Sequence, residues 1–135
     1  MPPSAGPVRS TSRLGARSPD CPAWSRGSNT LLTTLRIDHG YHVNANPASF
    51  DNLIPTSVAF MGLVPERITY PPPIRFKPRF AEDTLDMFEG TVVITAIFSA
   101  GTLDRAHGLG LTVMAQACTA EICLPPDDIP ARATW

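Results

Sequence analysis

The sequence predicts an all-β domain, a sandwich of about seven short strands. Short runs rich in β-branched and aliphatic residues recur along the chain, separated by glycine and proline. The chain carries 15 prolines, which oppose long helices because proline lacks an amide donor and clashes with the preceding turn. No segment carries a convincing amphipathic helical pattern. At 135 residues a single domain is expected, with enough chain to bury a core.

The elements follow in order. Residues 1–28 are rich in Pro, Ser, Gly and Arg and lack hydrophobic periodicity, which predicts a disordered leader. They hold four arginines against one acid, a net of +3, whereas the remainder holds seven basic and eleven acidic residues, a net of −4. The leader has no apolar segment of the kind a signal peptide needs. It reads as a disordered tail or as a start placed upstream of the true one, with a faint likeness to an organellar transit peptide. Strands are expected at Asn29–Ile37, ended by the turn residues Asp38-His39-Gly40, and at Tyr41–Asn46, where Tyr41, Val43 and Ala45 share a face. Thr56–Met61 and Glu66–Tyr70 follow, closed by Pro71 to Pro73. Ile74–Phe80 is extended but a poor central strand because of Pro78. Ala81–Met87 is expected to be one helical turn or a loop. Thr91–Phe98 and Leu109–Cys118 are the longest strands, and Ile122–Leu124 suits a short return strand. Residues 131–135 are a short tail. Tyr41, Phe50, Phe88 and Phe98 are expected in the core.

A formal net charge of −1 gives no electrostatic reason to expect nucleic acid or an anionic membrane as partner. No stretch approaches the roughly 20 apolar residues of a membrane-spanning helix.

Three cysteines are present and are not equivalent. Cys21 lies in the leader and reads as an incidental thiol. Cys118 and Cys123 are separated by Thr-Ala-Glu-Ile, and flanking a tight hairpin would bring them within bridging distance. Such a bridge closes a ring of six residues, for which chain entropy supplies only about 2 kcal/mol. A weak, exposed bridge tilts toward redox chemistry, but the residues alone leave three readings open: a structural hairpin disulfide, a redox pair, or metal ligation. Metal ligation is disfavoured, since His39, His42 and His107 show no ligand spacing relative to the thiols. Each histidine reads as a solvated turn residue or a satisfied core group.

Further residues carry a resemblance. Gly40-Tyr-His-Val-Asn-Ala-Asn-Pro47, Phe50-Asp-Asn-Leu-Ile-Pro-Thr56, Phe76-Lys-Pro78, Leu85-Asp-Met-Phe-Glu-Gly90 and, most specifically, Gln116-Ala-Cys-Thr-Ala-Glu-Ile-Cys-Leu-Pro-Pro126 resemble the N-terminal domain of the thiol:disulfide interchange protein DsbD. The likeness covers residues 29–130. It implies an immunoglobulin-like sandwich in the bacterial periplasm, whose disulfide accepts electrons from a thioredoxin-like domain fed by a membrane-embedded donor. The dithiol then reduces partners such as periplasmic disulfide isomerases or cytochrome c maturation proteins. No cofactor is implied. Four residues separate the cysteines, one fewer than in the best-known members, and the membrane and thioredoxin-like domains are absent from this chain. The expectation is therefore a stand-alone domain, a truncated product or a fragment.

The resemblance assigns Cys123 as the sulfur that joins the partner and Cys118 as the resolving one. An aromatic cap implied by the family falls before Leu85, with Phe80 the first candidate and Phe76 the reserve; both read equally well as core aromatics. Glu121 reads as a solvated loop acid, with orienting the partner or taking part in proton transfer as the alternative roles. The competing expectation is a non-catalytic immunoglobulin-like binding or adaptor domain with an ordinary structural disulfide.

Overall fold

The computed structural model describes residues 6–15, 29–103 and 106–135. Eleven strands form among them: β1 (Val8–Leu14), β2 (Thr30–Ile37), β3 (His42–Asn44), β4 (Ser57–Phe60), β5 (Arg67–Thr69), β6 (Ile74–Phe76), β7 (Leu85–Phe88), β8 (Thr91–Ile97), β9 (Gly108–Ala115), β10 (Ala117–Cys118) and β11 (Asp127–Thr134). All pair antiparallel, in sheets ordered β1-β2-β8-β5, β10-β3-β7-β6 and β11-β9-β4.

Alternation along the strands builds one core between the sheets. β2 turns Leu31, Leu35 and Ile37 inward, β8 contributes Ile94 and Ala96, and Phe98 follows it. They meet Val43 and Phe88 of the second sheet, and Val58, Leu111, Val113 and Ile129 of the third. Phe98 is fully buried and receives the edge of Phe60 at 5.2 Å between ring centroids.

Order extends beyond its expected limits at both ends. Val8–Leu14, placed by sequence in a disordered leader, is an edge strand paired with β2 from Val8↔Ile37 to Leu14↔Leu31. Val8 is buried, and the Ser12 and Thr33 hydroxyls meet at 2.9 Å. Ser10 and Ser12 fill the inward positions between Val8 and Leu14, so the strand carries only a weak hydrophobic signature. At the other end Asp127–Thr134 pairs with β9 along its whole length, so residues 131–134 are strand rather than tail. Pro130 is tolerated because β11 is an edge strand.

Two internal expectations are also corrected. Leu85–Phe88 is a strand between β3 and β6, where a helical turn or loop was expected. Phe50, expected in the core, is 45% exposed; Phe88 and Phe98 are buried, and Tyr41 packs against the core from its edge. Cys21 lies outside the described residues.

Candidate redox site

The long strand expected over Leu109–Cys118 breaks at Gln116. β9 runs in one sheet, and the two residues after Gln116 join β3 of another, with Ala117 opposite Val43 and Cys118 opposite His42. The Gln116 side-chain amide donates to the Leu124 carbonyl at 3.1 Å and anchors the return segment. This change of sheet delivers Cys118 to the outer face of β10-β3-β7-β6.

From there the chain reverses in a tight hairpin. The Thr119 amide donates to the Ile122 carbonyl at 2.7 Å, and the Leu124 amide to the Ala117 carbonyl at 2.8 Å. Cys118 and Cys123 lie between these two hydrogen-bonded pairs, in a position where opposed antiparallel residues approach most closely. Their Cα atoms are 3.9 Å apart and a disulfide joins them. The Thr119 hydroxyl accepts from the amides of Glu121 and Ile122, both at 3.1 Å, and holds the turn.

The two sulfurs have different surroundings. Cys118 is 2% exposed and packs with Leu85 and Met87, with Leu53, Phe76 and Ala81 against them. This second, smaller apolar cluster stands on the sheet face opposite the main core. Cys123 is exposed at the hairpin, beside the exposed Ile122.

Two loops cover the small cluster. The segment after β3 is fixed by buried hydrogen bonds: the Thr56 hydroxyl donates to the Asn44 carbonyl at 2.7 Å, and the Asn44 side chain to the Ile54 carbonyl at 3.0 Å. That segment lays Leu53 on the cluster. The segment after β6 reaches the hairpin directly, because the Arg79 amide donates to the Ala120 carbonyl at 2.6 Å. The Arg79 guanidinium lies 3.7 Å from the Glu121 carboxylate, with both groups exposed. Phe80, next in sequence, is 46% exposed.

The structure thus brings Cys118, Cys123, Phe76 and Glu121 together, with Phe80 on the loop tied to the same hairpin. Sequence reasoning read His42 as a solvated turn residue or a satisfied core group. Its ring is 8% exposed, stacks on Phe76 at 3.9 Å between centroids and 13° between planes, and places Nε2 3.0 Å from the Glu89 carboxylate. His42 belongs to the face of β3 opposite Tyr41 and Val43, so alternation alone assigns it away from the main core, where Phe76 of β6 stacks on it.

The family model for the N-terminal part of the thiol:disulfide interchange protein DsbD matches residues 17–131. The chain belongs to the DsbD N-terminal family. The match begins upstream of residue 29, where the recognisable motifs were expected to start. The Neisseria meningitidis DsbD N-terminal domain, solved in its reduced form, superposes with a TM-score of 0.60 at 11% identity, covering 81% of this chain and 79% of that one. The N-terminal periplasmic domain of ScsB from Proteus mirabilis gives 0.55 at 11% identity, covering 91% of this chain and 44% of that one. This chain therefore spans less than half of the ScsB domain. Together with the antiparallel sheets, these likenesses establish the immunoglobulin-like DsbD N-terminal fold. No curated protein matches the chain significantly. Membership of the family implies a role in thiol:disulfide interchange, and Cys118–Cys123 is the disulfide found among the described residues.

Proposed function

We propose that this domain relays electrons in the periplasm through Cys118–Cys123, taking them from a thioredoxin-like donor supplied by a membrane protein and passing them to partner disulfide proteins. The observation that carries the reading is the asymmetry of the bridge: one sulfur exposed at the hairpin, the other buried under an apolar cluster. Exchange needs an accessible sulfur for the mixed disulfide and a neighbouring thiol to resolve it. Cys123 takes the first role. The incoming thiolate attacks its Sγ, the S–S bond breaks, and the electron pair leaves on Cys118. A second thiol of the donor then attacks its own sulfur in the mixed disulfide and releases Cys123, leaving the domain as a dithiol. Discharge to a partner disulfide runs the same steps in reverse.

Phe80 acts as the cap in this reading, since its loop is hydrogen-bonded to the turn between the cysteines. Phe76 backs the buried sulfur. Glu121, exposed at the turn and ion-paired with Arg79, offers a charge for orienting the partner. Disulfide isomerases and cytochrome c maturation proteins are the partner classes that the family suggests.

The test has two parts. A reduction potential well above about −300 mV is expected, because more negative values mark structural bridges and would leave a non-catalytic adaptor domain as the better reading. Incubation with a thioredoxin-like protein should trap a mixed disulfide with Cys118→Ser and not with Cys123→Ser. Equal trapping by both variants overturns the assignment of roles.

A further inference from the structure

We infer that His42 is the positioning residue for the buried sulfur: its imidazole holds the proton that Cys118 exchanges each time the bridge opens and closes. The inference rests on the relay reading for its purpose, and on separate observations for its chemistry.

Cys118 and His42 are direct cross-strand partners. Side chains so placed share a face, with Cβ atoms about 4.5–5.5 Å apart. Phe76 stacks on the imidazole and packs on the cluster that holds the sulfur, which encloses the two groups under one ring. The Nε2 position is committed to Glu89, at 3.0 Å. Nδ1 is completely enclosed and has no hydrogen-bond partner among the described residues. A buried polar nitrogen left unpaired is destabilising, so the bridged state carries an unmet polar requirement beside the sulfur. Opening the bridge creates the group that meets it. Cys118 is then a thiolate at a site only 2% exposed, where an unpaired charge is costly.

The step balances without any further reactant. The donor thiol ionises to solvent before it attacks Cys123, and the imidazole takes up a proton at Nδ1. Glu89, whose side chain is 54% exposed, faces solvent and offsets the imidazolium charge. As Cys118 leaves with the S–S electron pair, the Nδ1 proton is shared with its sulfur. In discharge, Cys118 returns its proton to Nδ1 as it re-forms the bond to Cys123. Glu89 is the one ionic partner of His42 among the described residues. Arg75 and Asp86 lie on the opposite face of β6 and β7, 3.5 Å from each other, and Arg79 is paired with Glu121 at the turn.

The experiment uses the full chain carrying Cys21→Ser. Adding Cys123→Ser leaves Cys118 as the single thiol, and its thiolate absorbance is followed against pH with His42 intact and with His42→Phe, which keeps a ring to stack on Phe76. Loss of the imidazole should raise the Cys118 midpoint by roughly one pH unit or more, a tenfold fall in thiolate at a given pH. Identical midpoints overturn the inference. The second measurement needs no substitution at His42: its ring resonances are titrated by NMR in the disulfide and dithiol forms of the Cys21→Ser protein. The imidazole midpoint should move on reduction, and one that stays put overturns the inference even if His42→Phe fails to fold. Failure of the relay reads out separately, as absence of the mixed disulfide with a thioredoxin-like protein.

Discussion

Consider the two single-thiol proteins made by adding Cys118→Ser or Cys123→Ser to a Cys21→Ser background. The first leaves its sulfur exposed at the hairpin and the second leaves it 2% exposed beneath Leu85, Met87 and Phe76. A reagent reaches Cys123 directly. It reaches Cys118 only after the hairpin lifts from β3, which breaks the short β10–β3 pairing and the Arg79–Ala120 hydrogen bond. Two or three backbone hydrogen bonds at about 1 kcal/mol each, with about 1 kcal/mol for wetting the side chain, put this opening at about 3–4 kcal/mol. At 1.4 kcal/mol per decade, Cys118 should react roughly 10²- to 10³-fold more slowly than Cys123. The assay is pseudo-first-order modification by excess aromatic disulfide reagent, each rate divided by the thiolate fraction from that variant's own titration. Corrected rates within tenfold of each other refute the claim that burial separates the two sulfurs.

Phe76→Ala removes the ring that stacks on His42 and backs the cluster; as the ring is only partly buried, a loss of about 1.5–3 kcal/mol in urea unfolding is expected, below the full cost of a core phenylalanine. An unchanged midpoint would show that the cluster contributes nothing to folding. Thr56→Val preserves shape but removes the buried hydroxyl that donates to the Asn44 carbonyl, and should cost about 1–2 kcal/mol by the same measurement. Burial holds the Tyr70 phenol above its ordinary value of 10.0, only partly offset by hydrogen bonds to the Val58 backbone and the Asn46 side chain. The folded state therefore keeps a proton that the unfolded chain releases, so Tyr70 adds stability that is full below pH 10 and is lost as pH rises through the folded value. Tyr70→Phe should flatten this alkaline limb of the stability profile, and an identical slope in both proteins would refute it.

The sandwich was legible in the sequence wherever a strand buries aliphatic side chains on one face. β2, β8 and β9 carry that signature; β2 and β8 lie where alternation and turn residues place them, and β9 does so as far as Ala115. Val8–Leu14 and Asp127–Thr134 do not carry it, because edge strands need only a few inward contacts: Val8 and Ser12 in one case, Ile129 and Ala133 in the other. β7 was obscured by its preceding acidic turn, and by alternation in which Leu85 and Met87 serve one cluster while Phe88 serves another. The cysteine pair was legible from its spacing and flanking residues. The burial of Cys118 and its pairing with His42 were not, since they depend on a sheet change at Gln116 and on loops from distant parts of the chain.

The separation of the two apolar clusters decides what the bridge does for the fold. A ring of six residues restrains the unfolded chain by only about 2 kcal/mol, and its sulfur packs in the small outer cluster rather than between the sheets. The main core rests on Leu31, Leu35, Phe88, Ile94, Phe98 and Val113, none of which touches that cluster's task of covering the sulfur. Ala117, adjacent to the bridge, turns the other way and stays with the main core. Breaking the S–S bond should therefore disturb a two-residue strand and its turn while the sheets keep their packing. A staple that locked the sandwich would have to span its layers; this one joins two ends of a single hairpin. A bridge whose loss the fold tolerates is free to open and re-form without unfolding, which is the condition the proposed relay places on its scaffold.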